Sequence, residues 1–322
     1  MAAPTNTVDT FSAIGNREDL ADVIYDISPG ETPFLSAAPR SRATSIQHDW
    51  QTQSIASAAS NAAVEGDDAT ADAHIATTRL TSDVQISSKT ISVSGTQRKV
   101  DSAGRADEFS WQLAMRGKEL KLDMEFALTR IQLNSSGGAA TARATAGLEN
   151  WLATNKTSVG TGTAQTTIGW TAGGVVAVPT DSTVQGALTK AALDDVIQKC
   201  WTQGGNPSVI QCGPANRTNI SGFTGISTLQ TPASPTMNVT LMGAVDFYKS
   251  NFGTLKVVPS RVQRDRTVFV LDMEMLGTAM LRDIHTQALA KTGDADRMSL
   301  VSEYCLVVKN ELASGKVTDC TT

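Results

Sequence analysis

The clearest pattern of apolar positions lies between residues 101 and 134 and predicts a long helix. Ser102 is a suitable N-cap, and the acidic Asp107 and Glu108 follow early in the segment. At about 100° per residue, the apolar side chains fall on two roughly opposite stripes of the helix. The first stripe contains Phe109, Leu113, Leu120, Met124, Leu128 and Ile131, and the second contains Trp111, Met115, Leu122, Phe126 and Leu133.

Both stripes must be buried against other parts of the structure. Each large apolar side chain left exposed to water loses about 1.5–3 kcal/mol of stabilising free energy that burial would provide. Two arrangements satisfy this requirement. The helix can lie inside its own domain with other elements on both sides. Alternatively, part of the second stripe can meet an element of another subunit.

Alternation of apolar and polar residues predicts strands at residues 46–51 and 83–96, which we interpret as the two sides of a long hairpin. A change of parity between Val84 and Ile86 on one side and Ile91 and Val93 on the other indicates a bulge or twist. The intervening tip is rich in Ala, Ser and Asp. A two-stranded ribbon this polar is marginally stable alone, so the pattern favours a partner surface.

Residues 1–45 have too few apolar side chains to fold alone and are predicted to form an arm. A short amphipathic helix is expected after Asn16, with one apolar face that ends before Pro29-Gly30. That face consists of Leu20, Val23, Ile24 and Ile27. Residues 32–35 are expected to be extended, because Pro33 disfavours the helical conformation at Thr32.

The rest of the chain mixes helix and strand. Residues 186–204 predict a second helix that ends at Gly204-Gly205, and a buried strand is expected at residues 208–212. Strands alternate with turns from residue 240 onward, ending in a strand at residues 303–310. Residues 135–185 are rich in Gly, Ala and Thr and predict loops and short strands.

Composition narrows the possible functions. The net charge of −5, from 27 basic and 32 acidic residues among 322, argues against a general nucleic-acid binder. The first eleven residues have neither the basic nor the apolar stretch of a secretory signal, so we expect none. No apolar run is long enough to predict a membrane span. The four cysteines contain no C-x-x-C pair, and we expect reduced, buried thiols.

No pattern of catalytic or metal-binding residues stands out. The three histidines do not form a metal-binding spacing, and no nucleophile elbow, P-loop or dinucleotide fingerprint occurs. The acidic tip at residues 65–68 departs from EF-hand spacing and is interpreted as a solvated loop. Arg261, Arg264 and Arg266 surround Asp265, either as a solvated turn or as a subunit contact near a symmetry axis. We therefore expect neither an enzyme nor a cofactor.

Several segments together resemble one family. They are residues 17–29 continuing through 31–34, residues 48–51, 65–68, 92–97, 103–106, 118–121 and 304–311. In this order the chain resembles the major head proteins, or major capsid proteins, of tailed bacteriophages of the SU10-like type. No single motif among them is catalytic.

The resemblance implies an α+β chain with the HK97-like capsid fold. Its parts would be an N-terminal arm, an extended β-hairpin loop, a peripheral domain with a long spine helix, and an axial domain. The expected ranges are 1–45 for the arm, 46–100 for the extended loop, 101–180 for the peripheral domain with a spine helix at about 102–134, 181–275 for the axial domain, and 276–322 for the return to the peripheral domain and the C-terminal strands.

The function implied by the resemblance is self-assembly into an icosahedral shell around the double-stranded DNA of a tailed phage. The partners would be copies of the same chain, as hexamers and pentamers, with scaffold, decoration and portal proteins as further partners. DNA would be enclosed without sequence-specific binding, no membrane would be involved, and the virion would be assembled in the host bacterial cytoplasm. Candidate subunit-interface residues are Pro29, Pro33, Phe34, Trp50, Trp111, Met115, Phe126, Arg261 and Arg264. An encapsulin-like bacterial compartment or a β-rich decoration protein remains an alternative.

Overall fold

Two large β-sheets, one of four strands and one of six, organise the chain. The six-stranded sheet contributes side chains to both main hydrophobic cores, since Phe269 and Leu271 lie in the first and Val268 and Val270 in the second. The computed structural model describes residues 30–62, 65–66, 68, 71–100, 104, 107–162, 165, 170–171, 174–175, 179–223 and 246–321. The helix expected after Asn16 and the candidate residue Pro29 lie outside the described residues.

The secondary structure consists of runs of strands separated by helices. The elements are α1 (Pro33–Ala37), β1 (Arg40–Arg42), β2 (Gln47–Thr52), β3 (Thr78–Asp83), β4 (Gln85–Ser94), α2 (Glu108–Thr129), α3 (Leu148–Trp151), β5 (Lys156–Ser158), β6 (Trp170–Thr171), β7 (Gly174–Val175), α4 (Lys190–Thr202), β8 (Val209–Cys212), α5 (Pro214–Ser221), β9 (Phe247–Ser250), β10 (Gly253–Pro259), β11 (Val268–Leu271), β12 (Leu276–Ala288), β13 (Ala295–Val308), a 3-10 helix (Glu311–Ala313) and β14 (Gly315–Thr318).

The extended conformation expected for residues 32–35 is wrong from Pro33 onward, because α1 begins there. Thr32 is itself non-helical, with φ −124° and ψ 76°, as the following proline requires. Pro33 is tolerated in the first turn because the N–H that it lacks would have no partner within the helix. The short helix buries Phe34 and Leu35.

The predicted pairing of the extended hairpin is also wrong. β2 pairs with β3 in antiparallel register, from Gln47 opposite Asp83 to Thr52 opposite Thr78. β4 instead pairs with β13.

The bulge expected between Ile86 and Ile91 is wrong as well, because β4 pairs with β13 in continuous register from Gln85 to Ser94. The parity changes because Ile86 is 48% exposed, whereas Ile91 and Val93 are buried.

The long helix α2 is shorter at both ends than the predicted range of 102–134. Asp107 is its N-cap, and the carboxylate accepts hydrogen bonds from the backbone N–H groups of Phe109 and Ser110. After Thr129 the backbone becomes extended at Arg130. The segment before α3 passes against this end at Gly147, where a Cβ would lie 1.8 Å from the carbonyl oxygen of Arg130. Only glycine permits that approach.

The first sheet has four strands in the order β1-β12-β13-β4. β1 runs parallel to β12, and the other neighbours are antiparallel. The helix α2 packs on β4 and β13, so that its first stripe meets the sheet. The central residues of that stripe, Leu120, Met124 and Leu128, are fully buried with Tyr304 and Leu306 of β13.

The second sheet has six strands in the order β5-β14-β11-β8-β10-β9. The helix α4 begins after its N-cap Thr189 and packs on β14 and β5. Its apolar side, Leu193, Val196 and Ile197, is buried in the second core. β5 and β14 thus join this sheet although they fall within the ranges 101–180 and 276–322 expected for the peripheral domain. Their pairing is long-range, so periodicity within each short strand could not predict it.

Candidate subunit interface

The second apolar stripe of α2 faces away from the four-stranded sheet. Phe126 is 44% exposed, and Trp111, Met115 and Leu122 are half-buried. The guanidinium of Arg130 lies 4.9 Å from the centroid of the Phe126 ring. The described part of the chain therefore leaves this stripe incompletely covered, in contrast to the fully buried first stripe.

The segment between β2 and β3 extends without a core of its own. Its described residues at 53–62 and 71–77 are exposed except for the half-buried Ile75, and Ile55 is 96% exposed. One hydrogen bond across its base, from Gln53 Nε2 to the carbonyl oxygen of Ile75, measures 2.9 Å. Such a segment gains little stability from its own subunit.

A polar groove of about 410 Å³ lies between the edge of β4 and the first half of α2. It is lined by residues 90–94 of β4, by Gln97, and by Glu108, Gln112 and Arg116 of the helix. β4 has β13 on one side and, among the strands that the structure describes, no neighbour on the other. Edge strands of this kind are common places for pairing with another chain.

Glu125 joins α2 to α1. Its side chain is fully buried, and its two oxygens accept hydrogen bonds from the backbone N–H groups of Phe34 at 2.9 Å and Leu35 at 2.7 Å. Gln211 of β8 contributes a longer contact of 3.5 Å. Burial raises the pKa of Glu125, and the hydrogen bonds from Leu35, Phe34 and Gln211 oppose that rise. The carboxylate thus fixes the beginning of α1 against the long helix.

Replacing Glu125 with alanine is expected to lower the free energy of unfolding by about 2–5 kcal/mol, because two buried N–H groups lose their acceptor. The control is Glu119→Ala on the same helix, where the carboxylate is 38% exposed and pairs with Arg116. Its expected cost is below about 1 kcal/mol. Urea unfolding followed by circular dichroism measures both. Equal stabilities of the two variants would show that the Glu125 contacts contribute little.

A partly buried ionic cluster links α3 to the loop between β10 and β11. Arg264 Nε donates to Glu149 Oε2 at 2.8 Å, and its Nη1 donates to Asp181 Oδ2 at 2.7 Å. Glu149 is fully buried and also accepts from the Thr267 hydroxyl at 2.7 Å, while Arg266 reaches Asp181 at 3.3 Å. Burial raises the pKa of Asp181, but the hydrogen bond and charge of Arg264 outweigh it and hold that pKa at about 2.

The predicted interface residues therefore fall into two groups. Phe34 is buried in the first core, Arg264 is engaged in the ionic cluster, and Trp50 donates from Nε1 to the carbonyl oxygen of Val308 at 2.9 Å. These three have contacts within the subunit. Arg261 is exposed and Pro33 half-buried, as are the residues of the second stripe described above.

Sequence reasoning missed Glu125 and Glu149. Glu125 stands on a seam of the helical wheel where a solvated carboxylate is the ordinary expectation, and Glu149 stands in a short apolar segment with no cation near it in sequence. Their partners lie 90 and 115 residues away, at Leu35 and Arg264. The only available signal for Glu149 was its position among Leu148, Trp151 and Leu152.

The described residues contain no group of three His, Cys, Asp or Glu side chains placed to hold a metal ion. None of the helices in that part of the chain has the length and apolarity to cross a bilayer. All four cysteines are free and buried, and burial raises the pKa of each thiol to about 12. Such thiols are poor nucleophiles at neutral pH.

Comparison with known families gives a match over nearly the whole chain. The family described as SU10 major capsid protein matches residues 3–321. The chain belongs to this family. A curated relative, the major capsid protein of Escherichia phage Phieco32, is 34% identical over 166 residues, which are 49% of this chain and 47% of the relative. That match thus spans about half the length of the relative.

Solved structures show that this SU10-family chain has the HK97-like capsid fold. A structure from Gordonia phage Cozz superposes with a TM-score of 0.62 at 10% identity and covers 99% of this chain and 98% of its own. The capsid of a native GTA particle gives 0.63 at 12% identity, covering 99% and 100%. The SrpI encapsulin complex of Synechococcus elongatus gives 0.58 at 10% identity, covering 95% and 92%.

Proposed function

We propose that this chain is the structural subunit of an icosahedral head shell that encloses the double-stranded DNA of a tailed phage. The observation that carries the proposal is the family match across residues 3–321. The subunit assembles with copies of itself, as hexamers and pentamers, through several modest interfaces. It acts as a structural protein of the virion and performs no catalysis.

The described surfaces suit such assembly. The described residues between β2 and β3 are almost all exposed. On α2, Phe126 is exposed and Met115 and Leu122 are half-buried, and β4 has no second neighbour among the strands that the structure describes. Each of these surfaces would be stabilised by contact with a neighbouring subunit. The stability of the shell would then come from many contacts that are individually weak.

Among the predicted interface residues, Trp111, Met115, Phe126 and Arg261 remain the candidates for contacts between subunits. Pro29 and Pro33 flank the start of the described chain and keep the same proposed role. Phe34, Trp50 and Arg264 would act indirectly, by holding the subunit surfaces in place.

A subunit of such a shell would also contact other proteins of the phage. Scaffold, decoration and portal proteins would meet this subunit during or after assembly in the host bacterial cytoplasm. The mildly acidic chain, with a net charge of −5, would enclose DNA without binding its sequence.

A second candidate is the shell of an encapsulin-like bacterial compartment. The likeness to the Synechococcus elongatus encapsulin across 95% of the chain favours it. The two functions differ in cargo, since a compartment encloses protein and a phage head encloses DNA.

Expression of the full chain alone, with and without a neutral crowding agent, tests the proposal. Closed shells in negative-stain images, and a matching size by light scattering, are expected. Only monomers or trimers under both conditions would contradict shell formation. In particles isolated from infected cells, nuclease-protected DNA would support a head, whereas a specific protein cargo without DNA would favour the compartment.

A further inference from the structure

The outer edge of β4 lacks the features that usually keep a strand edge from pairing. β4 pairs with β13 in continuous register, and no strand in the described part of the chain lies on its other side. Natural edge strands are commonly interrupted by a proline, a bulge or an outward lysine. β4 has neither proline nor bulge, and its single lysine, Lys89, is turned onto α2, where it binds Asp123 at 2.7 Å. This edge can therefore accept another strand.

The groove beside β4 lies on the unpaired side of the strand. Its described lining comes from residues 90–94 and Gln97 together with the N-terminal half of α2, and β13 contributes nothing to it. The backbone edge of β4 is thus open to solvent along the groove. A strand added there would extend the four-stranded sheet beside the exposed flank of α2.

A line of polar side chains on α2 borders this groove. They lie within about 60° of one another on the helix, and they are Gln112, Arg116, Glu119 and Asp123. The first two line the groove. The last two approach Lys89 of β4 at 3.8 and 2.7 Å. The helix therefore runs antiparallel to β4, with Lys89 beside its middle.

The sequence of β4 is complementary to itself in an antiparallel pair centred on Thr90. In that register Thr90 faces its own copy, Lys89 faces Ile91, and Ser88 faces Ser92. No like charges are opposed, because Lys89 is the only charged residue of β4. A pair centred on Lys89 would instead oppose two ammonium groups, which is destabilising.

The polar line of α2 is also complementary to itself. In an antiparallel pair of these helices centred on the middle of the line, Arg116 lies opposite Glu119 of the second copy. In the same arrangement Gln112 lies opposite Asp123 of the second copy. Arg116 contacts Glu119 at 2.6 Å within one subunit, so the two helices together would form one network of alternating charges.

One two-fold axis serves both the strands and the helices. The middle of the polar line lies between Arg116, which borders residues 90–94, and Glu119, which approaches Lys89. It therefore projects near Thr90. The helix α2 packs on both β4 and β13. With strands about 4.8 Å apart, a helix centred between those two strands would lie about 10 Å from its copy, an ordinary distance for packed helices.

From these observations we infer that two copies of this chain pair through their β4 edges, antiparallel and centred on Thr90. The contact joins the two four-stranded sheets into one and places both α2 helices on the same face. It is isologous, because the same surface of each copy takes part. The inference rests on the proposed function only in naming a second copy of this chain as the partner.

An engineered cysteine tests the centre of the pair. Thr90→Cys is expected to form a disulfide-linked dimer under a mild oxidant, because directly opposed residues have Cα atoms about 4.5–5.5 Å apart. The matched control is Ser88→Cys, which is exposed on the same face of the same strand. Its two copies would lie about 14 Å apart, beyond the reach of a disulfide. We expect at least about fivefold more linked dimer from Thr90→Cys on a non-reducing gel. The native thiols are buried and form a common background.

A mixture of two variants tests the register. Ser88→Cys and Ser92→Cys are directly opposed in the proposed pair, so an equal mixture should give a linked heterodimer. Mass spectrometry identifies it by the joined peptides. Each variant alone should give little linked dimer, because its two thiols are offset along the strands.

A third measurement does not require disulfide geometry. Arg116→Glu and Glu119→Arg each place like charges opposite each other between identical copies, and each should associate at least about tenfold more weakly in sedimentation experiments. An equal mixture restores both Arg–Glu pairs between copies, while like charges remain at positions 116 and 119 within each copy. Recovery on mixing can therefore come only from contacts between copies, and its absence would contradict the inference.

The cysteine variants also give decisive negative results. Equal yields of linked dimer from Thr90→Cys and Ser88→Cys would overturn the inference. Absence of the Thr90→Cys dimer from both dispersed and assembled protein would overturn it as well. Shells without this dimer would leave the proposed function standing, and the dimer without shells would support the pairing alone, so the two ideas fail separately.

Discussion

Replacement of residues 53–77 by an Asn-Gly turn is expected to give a folded subunit that no longer forms closed shells. Thr52 and Thr78 are directly opposite each other in the β2–β3 pair, so a two-residue turn can join the strands. The removed residues contribute little to either core, because the described ones are exposed or half-buried. Their loss should therefore remove contacts between subunits and leave the subunit intact.

Electron microscopy and light scattering of the shortened chain measure assembly, and thermal unfolding measures the subunit. A suitable control replaces the same residues by a Gly/Ser segment of equal length, which keeps the reach of the loop and removes its side chains. Normal particles from the shortened chain would show that the segment has no part in closing the shell. A lowered melting temperature without particles would instead indicate a folding role.

Replacement of Arg264 by leucine is expected to lower the free energy of unfolding by about 3–5 kcal/mol, because the buried Glu149 carboxylate would lose its ion pair with the guanidinium. The double variant Glu149→Met with Arg264→Leu should recover part of this loss, since neither buried charge remains in that pair. The control is Arg261→Leu in the same loop. Its side chain is exposed, and the expected change is within about 0.5 kcal/mol.

The dependence of the free energy of unfolding on pH, measured at low pH, tests the contact between Arg264 and Asp181 independently. The pKa of Asp181 is held at about 2, below its unfolded value of about 4. Its contribution to stability is therefore present above about pH 4 and is lost as the pH falls toward 2. The difference between the wild type and Arg264→Leu should narrow over that range. A constant difference from pH 7 to pH 2 would contradict a role for the Asp181 contact.

Local sequence patterns predicted the elements whose signals are contained in one segment. The long helix, the helix α4 and the strands β8, β11 and β13 all follow periodicity or continuous apolar runs, and the structure confirms them with changed ends. The two stripes of α2 were also visible, because a helical wheel needs only the local sequence. The ordered set of family segments then gave the fold.

Long-range pairing and buried charge could not be predicted in this way. Nothing within residues 83–96 indicates that β4 pairs with β13, more than 200 residues away. Likewise, Arg264 was expected either in a solvated turn or at a subunit contact, because its carboxylate partners Glu149 and Asp181 come from distant segments. The error at Pro33 has a different cause. Proline disfavours the helical conformation of the residue before it, but it is favourable as the first residue of a helix.

The position of β14 has a consequence for the order of synthesis. This strand lies between β5 and β11, while β12 and β13 are central to the other sheet. A growing chain therefore cannot complete either sheet until residues 276–318 have been made. Surfaces suited to neighbouring copies would form only on nearly finished chains, so that subunits still on the ribosome would be poor partners for association.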